Sequence, residues 1–251
     1  MFVDLRVLGY GSTIGTSTNF NVREMVQSLS VDSIGSEFTI SNTGDSNGIL
    51  RARSGSIKAL KKSIPFAENM VQKYSRRAGD ILYENRKNTI GRLIFSENGF
   101  RERLCMFWFD HFSVSGQNFN LRLLSTSYLQ DAIRSNLEGP FENIVSSTMK
   151  HPAMIQYLNQ KRSIGPNSRF GKKRSLDINE NYARELLELH TMGVGGKYKQ
   201  EDVKELAKLL TGIYSDENGY RFREELSEPG SKHILGKTYE SDKGQLRCLS
   251  R

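Results

Sequence analysis

The densest group of side chains that could do acid–base chemistry lies in residues 179–196, NENYARELLELHTMGVGG. Glu185 and Glu188 could act as general bases, and Arg184 could hold an anionic group of a substrate. At about 100° per residue, these three residues share one face of the predicted helix with Asn181. Contacts Arg184–Glu188 and Asn181–Glu185 can therefore form along the helix. The same face could equally be a solvent face without catalytic function.

The opposite face of this helix is predicted to be apolar. Six residues project there: Tyr182, Ala183, Leu186, Leu187, Leu189 and His190. We expect His190 to be a buried packing residue. It follows Glu188 by two positions, whereas the helical di-metal pattern needs Glu and His three apart.

Asp110 and His111, in the segment MFWFDHF, form a second candidate group. The aromatic surroundings could desolvate His111, lower its pKa and make it a neutral base near pH 7. It could also be a buried histidine bonded to a backbone carbonyl. We favour this structural role because no nucleophile and no second histidine at ligand spacing accompanies it.

The chain carries a net charge of +8, which makes acidic partners worth considering. Cations crowd the predicted loop QKRSIGPNSRFGKKRS: Lys161, Arg162, Arg169, Lys172, Lys173 and Arg174. A solvated loop and a phosphate or nucleic-acid contact are both compatible with this composition, and the solvated loop is the simpler interpretation. The stretch is not a phosphate loop, because five residues instead of four separate its glycines and Lys173 occupies the Ser/Thr position.

The length of 251 residues and 37% hydrophobic content predict one domain over 1–251. Helical periodicity and capping signals predict a mainly α fold, a multi-helix orthogonal or bundle-like domain. One small β-hairpin is expected near 212–224, around Asn218-Gly219. Residues 33–56, rich in Ser, Gly and Asn, predict a flexible polar linker or excursion. Ser96 and either Ser125 or Thr126 are the predicted caps of two helices.

Two cysteines, Cys105 and Cys248, are too few and too far apart to indicate a disulfide framework or a metal site. We therefore expect no metal and no cofactor. The N-terminal residues MFVDLRVLGYG do not read as a signal peptide, and no apolar run is long enough to span a membrane. The sequence alone thus predicts a cytoplasmic location.

Four segments, in order, resemble the bacterial family defined by domain of unknown function 1800 (DUF1800). They are FRERLCMFWFDHFSVSG, KHPAMIQYLNQKRSIGPNS, NENYARELLELHTMGVGGKYKQEDVKELAKLLTG and PGSKHILGKTY, and the resemblance covers residues 65–240. It implies a predominantly helical bacterial protein, of a family whose function is unknown, that is periplasmic or exported, with a co-encoded exported partner. Many relatives have His where this chain has Phe109, so a two-histidine metal site is not expected here. Many also have Phe at the position of His190, as expected of a core residue.

The resemblance also bears on the polar residues. Asn179, Glu180, Asn181, Arg184, Glu185 and Glu188 belong to the family's signature. This favours a structural polar network, to which we add Asp110, packed against another element and shut away from water. Relatives continue through further helices beyond LGKTY, so we expect this chain to lack C-terminal helices of the family.

Two functions follow from these patterns. The favoured one is a binding or assembly module whose anion-binding residues contact an acidic protein, a phosphate-bearing ligand or nucleic acid. Those residues are Lys172, Lys173, Arg174 and Arg184. The alternative is a hydrolase-like enzyme with Glu185 or Glu188 as general base, Arg184 as anion clamp and His111 assisting proton transfer.

Overall fold

The protein is described by a computed structural model that covers residues 2–3, 20–173, 178–216 and 218–240. These residues confirm the prediction of a mainly α fold. The helices are α1 Val22–Gln27, α2 Thr43–Leu60, α3 Ala67–Phe95, α4 Gly99–His111, α5 Phe119–Tyr128, α6 Phe141–Lys150, α7 Pro152–Tyr157, α8 Asn181–Glu185 and α9 Gln200–Leu209. The strands are β1 Phe2–Val3, β2 Phe20–Asn21, β3 Ile213–Asp216, β4 Gly219–Phe222, β5 Lys232–Ile234 and β6 Lys237–Tyr239. Across these ranges, no helix is both long and apolar enough to cross a membrane.

The hydrophobic core lies among α4 to α9, with α5 near its centre. Leu121, Leu124 and Tyr128 of α5 are buried, and Tyr182 of α8 is buried beside them in the same cluster. A buried hydroxyl needs a hydrogen-bond partner. Tyr128 donates to the carbonyl of Phe112 at 2.8 Å, and Tyr182 donates to a carbonyl at the end of α6.

Two helix starts differ from the predicted caps. Helix α4 is capped by Asn98, not Ser96, and α5 begins after Asn118, well before Ser125 and Thr126. Each asparagine side chain accepts the backbone N–H three residues further on. Ser125 and Thr126 lie inside α5, where their hydroxyls donate to the carbonyls three residues earlier. The two prediction errors have one cause: Ser, Thr and Asn can all cap a helix, and the sequence offers several in succession.

The prediction of a flexible linker over residues 33–56 is wrong. Residues 43–56 belong to α2, which packs along α3 as an antiparallel helical hairpin, hereafter the α2–α3 hairpin. The serines that suggested a linker are part of the buried side of α2, since Ser46 and Ser56 are buried together with Leu50. Tertiary packing of small polar residues therefore overrides their weak helix propensity.

The segment before α2 is also fixed, although it has no regular secondary structure over most of its length. The guanidinium of Arg92 donates to both carboxylate oxygens of Asp32 at 2.8 and 3.0 Å and to the carbonyl of Phe38 at 2.8 Å. Asn85 accepts the N–H of Ser41 at 2.9 Å. The C-terminal half of α3 thus holds residues 32–41.

The hairpin near 212–224 is confirmed. Strands β3 and β4 pair antiparallel, with Asp216 opposite Gly219, whose φ is +100°. Strands β5 and β6 form a further hairpin that was not predicted. Its two turn residues, Leu235 and Gly236, both have positive φ, 52° and 78°. Leucine rarely adopts this conformation, so the sequence lacks the usual Asn-Gly or Asp-Gly signal.

Candidate functional site

Residues 181–191 form one continuous helical segment, hereafter the signature helix. Its polar face carries an ion-pair network centred on Arg184. Its guanidinium lies 3.2 Å from a carboxylate oxygen of Glu180 and 3.1 Å from one of Glu188. Gln200, the first residue of α9, bonds to Arg184 at 3.1 Å and to Glu180 at 2.9 Å. The predicted Arg184–Glu188 contact is confirmed, and the network joins α8 to α9.

This network lies at the surface. The prediction that it is shut away from water is therefore wrong. The side chains of Arg184, Glu180 and Glu188 are 38%, 34% and 25% exposed. Exposed ion pairs contribute about 0–1 kcal/mol to stability. The guanidinium of Arg184 is also already engaged by two carboxylates, which leaves it poorly placed to clamp an anionic substrate.

Glu185 differs from its neighbours. Within the part of the chain that the structure describes, its carboxylate has no hydrogen bond or ion pair, and the predicted contact with Asn181 is not formed. Burial raises its pKa, and the neighbouring charge of Glu188 adds to this effect. A carboxyl with a raised pKa suits general acid–base chemistry, so the predicted role of Glu185 stays a prediction.

The remaining polar-network residues divide into two groups. Asn179 is structural: its side-chain amide donates to the carbonyl of Leu158 at 2.9 Å, and its backbone N–H donates to Ser163 at 3.2 Å. Asn181 and Asp110 are exposed. Asp110 makes no hydrogen bond or ion pair with the residues placed by the structure, so its predicted membership of the network is wrong.

The apolar face of the signature helix is buried, as the periodicity predicted. His190 is 5% exposed and sits beside Leu186 and Leu187. Leu189 is an exception at 54% exposed. Residues Leu186–Thr191 form a π-helical turn, in which Met192 donates to the carbonyl five residues earlier at 2.8 Å. The 100° projection does not hold in a π-helix, which explains the wrong placement of Leu189.

His111 contacts this buried face. Its Nε2 lies 3.2 Å from the carbonyl oxygen of His190, and the two imidazole rings are 5.9 Å apart between centroids. This is the structural role favoured from the sequence. Burial lowers the pKa of His190 to about 4, and the electrostatic effect of the nearby His111 acts in the same direction. The buried Nδ1 of His190 has no hydrogen-bond partner among the described residues.

The residues of the predicted acid–base group are therefore divided between two sides of one helix. His111 meets the inner side at His190, whereas Glu185 and Glu188 lie on the outer side, which is partly exposed. Among the described residues, no group of three His, Cys, Asp or Glu is arranged to hold a metal ion. A catalytic role for these residues stays a prediction.

Sequence reasoning missed a third histidine. His151 caps α7, because its Nδ1 accepts the N–H of Ala153 at 3.1 Å. The ring proton must then be on Nε2, which donates to the hydroxyl of Thr43 at 2.6 Å. Asp131 accepts the N–H of Thr43, also at 2.6 Å. Burial lowers the pKa of His151 to about 3. The available signal was a histidine directly before Pro152, since proline is common in the first turn of a helix and the residue before that turn can cap it.

A buried ion pair lies beside Cys105. Arg134 donates to both oxygens of Glu102, at 2.5 and 2.7 Å, and both side chains are 2% exposed. Burial raises the pKa of the Cys105 thiol to about 11, so Cys105 is a packing residue and not a nucleophile.

The cationic loop, residues 159–173, has a fixed backbone. Gly165 donates to the carbonyl of Leu226 at 2.9 Å, and Phe170 donates to that of Glu225 at 3.0 Å. The buried carboxylate of Glu228 accepts the backbone and side-chain N–H groups of Asn167 at 2.9 and 2.6 Å. The loop thus lies directly against the segment after β4.

The cations of this loop point into solvent. Lys161, Arg162, Arg169, Lys172 and Lys173 are all exposed. None of them forms an ion pair with a residue in the described ranges. Arg174, predicted to act with them, lies outside the described residues. With respect to the residues that the structure describes, the loop therefore presents fixed positive charges that form no ion pair.

The α2–α3 hairpin is a second cationic region, which was not predicted from the sequence. Residues 43–95, which form the α2–α3 hairpin, contain eleven Lys and Arg and four Asp and Glu, a net charge of +7. These cations are spread over two helices, so no single stretch of sequence drew attention to them. Most of the protein's excess positive charge therefore belongs to this hairpin.

The fold and the site define a mainly helical protein with cationic surfaces and an ion-pair network on its signature helix. The family model described as "Protein of unknown function (DUF1800)" matches residues 7–248 of 251. The chain belongs to this family, and the match extends beyond residues 65–240 on both sides. Neither the comparison with curated proteins nor the one with solved structures gave a match.

Proposed function

We propose that this protein is a binding or assembly module that contacts an anionic partner through the cationic loop. The observation that carries the proposal is the combination of a fixed backbone and unpaired charge. Lys172 and Lys173 are exposed on a segment whose backbone is bonded to residues 225 and 226. A preorganised cationic surface loses little conformational entropy on binding and gains by releasing counterions from a polyanion.

The packing of the loop supports this proposal. A Cβ on Gly171 would lie 2.0 Å from the carbonyl oxygen of Gly165, and one on Gly165 would lie 2.6 Å from the backbone of Glu228. Close approaches of this kind fix the path of the backbone, so the cations cannot easily spread apart to reduce their repulsion. An anionic partner would relieve that repulsion.

The test measures binding to two polyanions, a DNA duplex and polyglutamate, by fluorescence anisotropy over a range of salt concentrations. Affinity should fall steeply as the salt concentration rises. For the duplex, Lys172→Ala with Lys173→Ala should reduce the magnitude of the slope of log affinity against log salt concentration by about 1.8, the value expected when each lysine contacts one phosphate. The preferred probe shows whether the loop selects phosphate or carboxylate.

The matched control removes two exposed lysines elsewhere, Lys197→Ala with Lys204→Ala. This double variant has the same net charge as the loop variant and should keep most of the wild-type affinity. An affinity that does not depend on salt concentration would contradict the proposal. An equal loss of affinity in the two double variants would also contradict it.

A further inference from the structure

The turn of the α2–α3 hairpin exposes apolar side chains. Leu60, Ile64, Phe66 and Met70 are 43%, 50%, 79% and 39% exposed. They lie within eleven consecutive residues, at the end of α2, in the connection and in the first turn of α3. Beside them, an open cleft of about 360 Å³ is lined by small residues of α2 and by Ile64, Pro65 and Met70. We call residues 58–73 the hairpin tip.

The hairpin tip projects from the body of the protein. The core cluster includes Leu50 and Ala78 of the hairpin but none of residues 54–74, all of which the structure describes. Ala78 lies eleven residues after Ala67, the start of α3, which corresponds to about 16 Å along a helix axis. Towards the core, Arg53 bonds to Ser75 at 3.0 Å and stacks over Phe119 of α5. The tip thus lies beyond the last of these anchoring contacts.

Cations surround the apolar side chains of the tip. Lys58, Lys61, Lys62 and Lys73 are exposed, and Glu68 is the one acidic residue of this segment. Arg76 and Arg77 continue the positive surface along α3, beside a second cleft between α2 and α3. Within the described residues, none of these six cations forms an ion pair.

The backbone at Phe66 adds a further observation. Phe66 has a φ of 63° and a ψ of 0°, in the left-handed region that aromatic residues rarely adopt. This conformation directs a long apolar side chain outward at the end of the hairpin, where it is the most exposed of the four. In water alone, neither the strain nor the exposure stabilises the fold.

We propose that the hairpin tip docks on the surface of a membrane that contains anionic lipids. Apolar side chains at an exposed turn can enter the boundary between headgroups and acyl chains, while the surrounding lysines bind the anionic headgroups. Nucleic acid fits the tip less well, because aliphatic Leu60, Ile64 and Met70 provide no stacking platform for bases. The docking is peripheral, and it uses residues other than those of the cationic loop.

The test is co-sedimentation of the whole chain with two kinds of vesicle: phosphatidylcholine alone, and phosphatidylcholine mixed with phosphatidylglycerol. The protein should bind the anionic vesicles and not the neutral ones. Lys61→Gln with Lys62→Gln should weaken binding on the order of fivefold per lysine, about 25-fold in total. Phe66→Asn removes the apolar ring but tolerates the left-handed backbone, and it should weaken binding about tenfold.

Matched controls separate this proposal from the function proposed for the cationic loop. Lys172→Gln with Lys173→Gln removes the same charge from the loop, and Tyr83→Gln removes an exposed aromatic ring from a later part of α3. Tyr83→Gln should bind the anionic vesicles as well as the wild type, and the loop variant should lose much less binding than Lys61→Gln with Lys62→Gln. Far-UV circular dichroism confirms that each variant is folded.

Three results would overturn the proposal. They are absence of binding to anionic vesicles, equal binding to neutral vesicles, and tip variants that bind as well as the wild type. If only the loop variant loses vesicle binding, the contact is made by the cationic loop and the tip has no part in it.

Discussion

His151 should make the stability of this protein depend strongly on pH. In the folded state it is buried and neutral, with a pKa lowered to about 3, whereas an unfolded histidine titrates near 6.5. Above pH 6.5, both states are neutral at this residue and stability is unaffected. Between pH 6.5 and 3, the unfolded state binds a proton that the folded state does not, so the free energy of unfolding falls as pH falls.

The size of this effect follows from the two pKa values. Each pH unit between them costs about 1.4 kcal/mol, and the whole interval costs about 5 kcal/mol. The total stability of a typical domain is about 5–15 kcal/mol. His190, whose pKa is lowered to about 4, acts in the same direction over a narrower interval. The free energy of unfolding should therefore fall steadily as the pH is lowered from 6.5 to 3.

The informative variant is His151→Asn. Asparagine can still cap α7 but does not titrate in this range, so the dependence of unfolding free energy on pH should be shallower by about 1.4 kcal/mol per unit between pH 6 and 4. Urea unfolding at several pH values measures this, with the fluorescence of Trp108 as the probe. His233→Asn is the control, because it makes the same substitution at an exposed histidine that has no part in capping α7. Parallel pH dependence of the wild type and His151→Asn would refute the reasoning.

Two further predictions concern stability. Arg134→Met removes both hydrogen bonds that the buried carboxylate of Glu102 accepts from Arg134 and leaves it with Arg101, 3.9 Å away, so urea unfolding should show a loss of about 3–5 kcal/mol. Glu102→Leu in the same chain should restore part of this loss, and no recovery in the double variant would contradict the prediction. Gly171→Ala places a methyl group 2.0 Å from a carbonyl oxygen and should cost about 1–3 kcal/mol in thermal unfolding. Gly79→Ala, in open space on α3, should instead stabilise by about 0.5–1 kcal/mol, and equal effects of the two alanines would contradict the close packing.

Much of the fold could be predicted because its local signals agree with its packing. Pro152 at the first position of α7, the regular spacing in α9 and the Asn218-Gly219 turn each act within a few residues. Helix α2 could not be predicted in the same way, because its serines become favourable only when α3 buries them. The turn at Leu235 gave no signal because tertiary structure imposes its conformation.

For the candidate site, the sequence predicted which side of the helix most residues lie on. It did not predict which other elements pack against that helix. Periodicity correctly placed His190 in the core and Arg184 beside Glu188. It could not show that Gln200 joins the ion-pair network or that this network is exposed to solvent. Both depend on how α9 packs against α8. Nor could it show that His111 meets His190, which is 79 residues away in the chain.

The α2–α3 hairpin is held at its base, whereas its far end has no part in the core cluster of the described residues. Arg92 and Asn85 fasten the later half of α3 to residues 32–41, and α5 supports the middle. In such an arrangement, a small rotation at the base would displace residues 60–66 more than any other part of the hairpin. A surface that captures this end would therefore restrain the orientation of the whole molecule through a single arm.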